Sequence, residues 1–221
     1  MAQVRVTRLE SRIAALAVCV LLFLVGGCTL VGAVAAKTIP QYEKPKYVGL
    51  QDQTVGVMVW ADRAVRIDWE RIQLDVANAV QTGLLSHGKA RELKGTRFPV
   101  QPASIVRFQL DNPELEAAPV TDYAAQIGVT RLIYIELEKF STRSDFSYQL
   151  YRGTAIVTLK VIEISGDQAR VAYEENGTTA GFPLKGPPEG EIVGTDAAFY
   201  SGTIRALADE IVKRLVTTEV E

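Results

Sequence analysis

The sequence predicts an α/β domain of the α+β kind: a single mixed, largely antiparallel sheet packed by helices, behind an export-type amino terminus and a polar tether. Three observations predict it. Apolar runs of strand length recur at 54–61, 131–140 and through 151–175, with the period-two alternation of a pleated surface. Two longer stretches, 69–87 and 195–216, carry apolar residues at three- and four-residue spacing instead. Clusters of Gly, Pro, Ser and Asp separate these runs and mark the turns between them.

The chain opens with MAQVRVTRLESR, in which Arg5, Arg8 and Arg12 face one acid, Glu10, and then passes into the apolar run IAALAVCVLLFLVGG at 13–27. A basic segment followed by an apolar one is the arrangement of an export signal. Val25, Gly26, Gly27 and Cys28 follow at once. This resembles the lipobox of bacterial lipoproteins, and the resemblance implies cleavage after residue 27, lipidation (palmitate among the acyl groups) of Cys28, and attachment to a membrane through that lipid. Thr29 stands where Asp would favour inner-membrane retention, so the resemblance implies the periplasmic face of the outer membrane. The same residues admit an uncleaved anchor, because only Thr29 interrupts apolar and small residues from Ile13 to Ala36, and about 20 such residues span a bilayer. In both readings the arginines stay in the cytoplasm and residues 37–221 lie outside it.

This divides the chain into a signal at 1–27, a lipidated terminus and tether at 28–53, and an envelope domain at 54–221. Residues 37–53, KTIPQYEKPKYVGLQDQ, are polar and hold Pro40 and Pro45 without sustained periodicity, as a tether would. Beyond the signal there are 21 basic and 25 acidic side chains, and a net of −4 gives no reason to expect nucleic acid. Cys19 and Cys28 are the only cysteines, so the domain has neither disulfide nor thiol chemistry.

Within the domain, TVGVMVWA at 54–61 is apolar on both alternations, as in a central strand covered on both faces. Asp68 is placed to cap a helix in which Trp69, Ile72, Val76, Val80 and Leu84 share a stripe, ending near His87 and Gly88. Phe98–Val100 reads as a short strand. Pro102–Leu110 reads as a helix opened by proline, an extended run before Asn112-Pro113 being the alternative. Thr121 to Gly128 reads as a short helical segment. Arg131–Phe140 is a strand with Ile133, Ile135 and Leu137 on one face and Leu132, Tyr134, Glu136 and Glu138 on the other. After the polar STRSD loop come a strand through 154–161, a Ser165-Gly166-Asp167 turn and a strand at Gln168–Glu175, in all an antiparallel meander. Asn176–Gly194 is rich in Gly and Pro and reads as a long loop. A helix from Thr195 to Val216 closes the chain.

Taken together, the signal with Cys28, TVGVMVWA, DYAAQIGVTRLIYIELEKF, YRGTAIVTLKVIEI and TIRALADEIVKRL are similar to the small α/β domain of envelope lipoproteins. The similar groups are the curli secretion lipoprotein, the lipoprotein activators of penicillin-binding proteins, and the amino-terminal domain of the Tol-system periplasmic protein. The resemblance implies a non-enzymatic binding or assembly role with an envelope protein partner, homo-oligomerisation included. Auxiliary lipoproteins of envelope transport systems are a further similar group. The curli protein forms a pore from segments that become membrane strands; here neither Ser141–Tyr148 nor Asn176–Gly194 supplies a long amphipathic pair for a barrel.

Residues able to carry chemistry are few. His87 is the single histidine, without a second ligand or nucleophile, and reads as a helix-end residue. No phosphate loop is present, and no metal or cofactor is expected. Glu136 and Glu138 are the acids to consider for a carboxylate-dependent hydrolase. For partner binding the candidates are Tyr148, Tyr151 and Arg152 beside a strand start, and Phe182 and Leu184 in the Gly/Pro loop, because aromatic and arginine side chains combine buried area with directed hydrogen bonds.

Overall fold

The computed structural model describes residues 41–220. The expected signal, the expected lipidation site Cys28 and the apolar run lie outside the described residues. In chain order the elements are β1 (Gln41–Glu43), β2 (Val55–Ala61), α1 (Arg63–Asp68), α2 (Ile72–Ser86), α3 (Pro102–Asp111), α4 (Val120–Tyr123), β3 (Arg131–Arg143), β4 (Tyr151–Ser165), β5 (Gln168–Phe182), α5 (Asp196–Leu215) and β6 (Thr218–Val220), with short 3-10 turns between. Residues 43–218 form one compact unit. The short strands β1 and β6 make a two-stranded sheet of their own. No helix among the described residues is long and apolar enough to cross a membrane.

The main sheet has the order β2-β3-β4-β5. β2 runs parallel to β3, and β3, β4 and β5 form the expected antiparallel meander. The chain is therefore α+β with a mixed, largely antiparallel sheet. β2 pairs on one side only, and its Val59 carbonyl accepts from Gln73 Nε2 at 2.7 Å and Gln109 Nε2 at 3.0 Å. Side chains of α2 and α3 thus satisfy a backbone group that a neighbouring strand would otherwise engage.

Two cores lie on opposite faces. Ile133, Ile135 and Leu137 pack with Val57, Val59, Leu207 and Ile211 beneath the long helices α2 and α5. On the reverse face Leu132 and Tyr134 pack with Met58, Ile105 and Tyr123 beneath α3 and α4. Each Val, Ile or Leu buried to this extent contributes about 1.5–3 kcal/mol. A bulge at Glu138, where the register steps from Leu137↔Val157 to Lys139↔Ile156, shifts the alternation by one. It places Phe140 on the same face as Ile133, Ile135 and Leu137.

Several expectations need correction. Asp68 does not cap the long helix; it ends α1, and α2 starts at Ile72. Trp69 sits in the break, stacked on Tyr200 at 5.0 Å and edge-on to Phe140 at 5.7 Å, so tertiary packing sets the boundary. Phe98–Val100 is not a strand; the bridge to Thr54 is made by Arg97 alone. The proline-opened helix at Pro102 is present, as is the Gly128 terminator, at φ 77°. β3 continues through Ser141–Arg143, the start of the expected loop. β5 continues to Phe182, because Asn176 and Gly177 (φ 69°) form a bulge and not the start of a loop. The tether ends earlier than expected: Tyr47 and Leu50 are buried in the first core, and the amides of Lys46 and Tyr47 donate to the Arg214 carbonyl at 2.8 and 3.0 Å.

Candidate functional site: an apolar rim on two clamped loops

β3 and α5 bring the residue 144–150 and 183–195 loops together at one end of the sheet. At the helix start Thr195 Oγ1 accepts from the Ala198 amide at 3.2 Å, and Asp196 lies in the first turn, where the helix dipole favours an anion. Arg143, the last residue of β3, reaches it with Nε to Oδ1 at 3.0 Å and Nη2 to Oδ2 at 2.6 Å. Thr142 Oγ1 adds a third bond at 2.7 Å. The bonds from Arg143 and then Thr142 hold the Asp196 carboxyl below the usual carboxylate range. The Arg143 guanidinium also lies over the Tyr151 ring at 3.8 Å and near the Tyr148 ring at 5.3 Å.

The second loop is pinned to the start of β4. The Tyr151 amide donates to the Glu191 carbonyl and the Glu191 amide to the Tyr151 carbonyl, both at 2.8 Å. This approach needs Gly190: at φ 113°, a Cβ there would stand 2.9 Å from the Tyr151 carbonyl oxygen. Beneath the loops, Phe199 of α5 receives Tyr151 at 5.2 Å and Phe182 edge-on at 5.4 Å. Arg152 Nη1 donates to the Pro183 carbonyl at 3.1 Å. The first loop closes on itself, with the Ser144 amide donating to the Leu150 carbonyl at 2.9 Å.

These ties leave five large apolar side chains pointing to solvent: Phe146, Tyr148, Leu184, Ile192 and Val193, from 76% exposed at Phe146 to 86% at Val193. All five belong to the two loops at this end of the sheet, here termed the apolar rim, and exposed apolar side chains so placed make it the candidate interaction surface. Of the residues singled out in the sequence, Tyr148 and Leu184 belong to this rim. Tyr151, Arg152 and Phe182 do not; they are partly buried and support it from below. Sequence reasoning missed Phe146, Ile192 and Val193, and also the Arg143–Asp196 clamp. The usable signal for the last was an acid just inside the start of a helix.

The acids considered for hydrolysis are occupied. Glu136 pairs with Lys160 at 3.1 Å, and Glu138, turned by the bulge, accepts from Thr158 Oγ1 at 2.7 Å. His87 follows α2, its Nδ1 2.9 Å from the Gly83 carbonyl. Among the described residues no group of three or more His, Cys, Asp or Glu side chains is placed to hold a metal ion.

No family model and no curated protein matches the chain. It is similar in fold to the PelC dodecamer of Paraburkholderia phytofirmans (10% identity, 80% of this chain and 97% of that chain covered, TM-score 0.40). A single-substitution variant of that protein matches likewise (11% identity, 80% and 98% covered, TM-score 0.40). So does the hypothetical protein CT253 of Chlamydia trachomatis (15% identity, 73% and 91% covered, TM-score 0.41). At these identities and TM-scores the likeness carries no argument about partner or assembly.

Proposed function

We propose that this chain is a membrane-tethered, non-enzymatic binding or assembly lipoprotein of the cell envelope that engages a protein partner through the apolar rim. The observation that carries the reading is the rim itself: Phe146, Tyr148, Leu184, Ile192 and Val193 are all exposed, on loops held in place by the Arg143–Asp196 and Tyr151–Glu191 contacts. A preorganised apolar surface loses little freedom on binding, and burying each such side chain is worth about 1.5–3 kcal/mol. The basic and apolar amino terminus ending at Cys28 supports placement in the envelope and attachment to its membrane.

The test is photo-crosslinking in cells from probes placed at Tyr148 and Leu184, with a control probe at Arg107, an exposed residue of α3. The reading expects a discrete protein adduct from both rim positions and none from Arg107. An adduct of two copies of this chain would make the partner a second subunit. Absence of any adduct at the rim, or the same adducts from Arg107, would contradict the proposal.

A further inference from the structure

The opposite end of the sheet differs in chemistry. Strands β3, β4 and β5 and helix α5 all run between the two ends, so the rim and the opposite end are separated by the length of β3, roughly 40 Å for 13 residues. At that far end the chain enters the compact unit through residues 43–53. It lies against residues 89–97, KARELKGTR: the Asp52 amide donates to the Lys94 carbonyl at 2.9 Å, Thr96 Oγ1 donates to the Leu50 carbonyl at 2.7 Å, and the Val55 amide donates to the Arg97 carbonyl at 2.8 Å. Thr217, just after α5, donates to Glu92 at 2.6 Å.

Lys44, Lys89, Arg91, Lys94 and Arg97 are all exposed at this end, and none forms an ion pair among the described residues. Several of the nearby acids are already neutralised. Glu163 pairs with Arg131 and Arg170, Glu175 with Lys46 and Arg214, and Glu210 with Lys213 and Arg214. Glu43, Asp52, Glu92 and Asp167 form no ion pair among the described residues, Glu92 accepting from Thr217 instead, so that with the paired groups counted ten basic side chains at this end face seven acids. Residues 43–218 hold 20 basic and 23 acidic side chains, so the cationic surplus is local to this end and runs against the net charge of the unit. One aliphatic side chain stands among the cations: Val48 is exposed and lines, with Lys44, Arg91, Arg131 and the acid Glu92, a groove of about 710 Å³.

We propose that this end is a docking face for the anionic headgroups of the bilayer that holds the amino-terminal tether. The inference rests on the tethered reading and deepens it. Three features select a lipid surface over an acidic protein. Unpaired Lys and Arg interleaved with an exposed aliphatic side chain match an anionic headgroup layer over apolar tails. The residues that lead back to the tether enter at this same face, so the bilayer is present at high effective concentration. The five cations are spread over two chain segments, which suits a surface better than one compact ligand. Docking here turns the apolar rim away from the membrane and toward a partner.

The experiment uses the full chain reconstituted in vesicles of neutral phosphatidylcholine and in vesicles that also contain phosphatidylglycerol, with amide hydrogen exchange as the readout. The expected result is severalfold slower exchange across residues 88–97 in the anionic vesicles, lost at high salt because headgroup attraction is screened, with no change in 144–150. The combined variant Lys89→Glu, Arg91→Glu, Lys94→Glu and Arg97→Glu should show no such protection while exchange within β3 stays as in the parent, which confirms that it folds. Equal exchange of 88–97 in the two vesicle types overturns the docking face, and the salt series on the parent chain decides this without the variant. Vesicle flotation separates the two claims: a chain that floats with neither vesicle type contradicts the tether, whereas a chain that floats with both yet shows equal exchange contradicts only the face.

Discussion

Arg143 and Asp196 meet side by side, Nε to Oδ1 at 3.0 Å and Nη2 to Oδ2 at 2.6 Å, and so join the end of β3 to the first turn of α5. A two-point contact of this kind fixes orientation as well as distance, and both rim loops leave the sheet beside it. Asp196→Asn removes the charge and one acceptor while keeping the shape. Hydrogen exchange should then quicken severalfold across 183–195 and 144–150 and remain unchanged in β3 and β4. Unchanged exchange in both loops would mean that the clamp does not order the rim.

Rim and support should separate in stability measurements. Tyr148→Ala and Leu184→Ala remove exposed side chains and should change unfolding free energy by less than about 0.5 kcal/mol. Tyr151→Ala and Phe182→Ala remove rings packed on Phe199 and should each cost about 1–3 kcal/mol. Urea unfolding of the four variants measures this, and similar losses from all four would contradict the division.

Gly153 allows β4 to approach α5. A Cβ there would stand 1.8 Å from Thr203 Oγ1, and Thr203 is fully buried with its hydroxyl donating to the Phe199 carbonyl at 2.6 Å. Gly153→Ala should therefore destabilise the fold by about 1–3 kcal/mol through overpacking, read as a lower urea midpoint. Gly166, whose Cβ position has nothing within 4 Å but whose φ is 59°, provides a comparison in which backbone strain acts alone.

Acid should weaken the contact between the entering chain and α5. Burial alone would raise the Glu175 carboxyl, but bonds from Tyr173 and Lys46 and the Arg214 charge outweigh it and bring it down from 4.5 to about 2. Because the folded value lies below the unfolded one, the stabilisation is complete above pH 4.5 and is lost as pH falls toward about 2. The side chain is 22% exposed, and after allowance for solvent screening the contribution is about 1–2 kcal/mol. Glu175→Gln should flatten the acid limb of the stability curve; an acid limb identical to that of the parent would assign it to other carboxylates.

The fold was legible where one period ran unbroken. The alternation of Ile133, Ile135 and Leu137, the helical stripe through Leu207 and Ile211, and Pro102 at a helix start all stand as read. Local signals failed where distant contacts outweighed them: Asp68 has the chemistry of a cap, yet Trp69 packing on Tyr200 moves the helix start to Ile72. Asn176-Gly177 has the chemistry of a loop, yet it forms a bulge that lets β5 continue. At the rim, Tyr148 and Leu184 were legible as residue types. Ile192 and Val193 were not, because an aliphatic pair in a loop does not reveal whether it faces core or solvent; the Tyr151–Glu191 pairing decides that.

The proposed membrane attachment is the premise of both the proposed outward presentation of the rim and the proposed docking face. The most direct measurement is the mass of the mature amino terminus of the chain recovered from fractionated cells. The expected result is a chain in the membrane fraction that has lost residues 1–27 and carries acyl mass on Cys28. An intact Met1 terminus on a chain found wholly in the soluble fraction would contradict it.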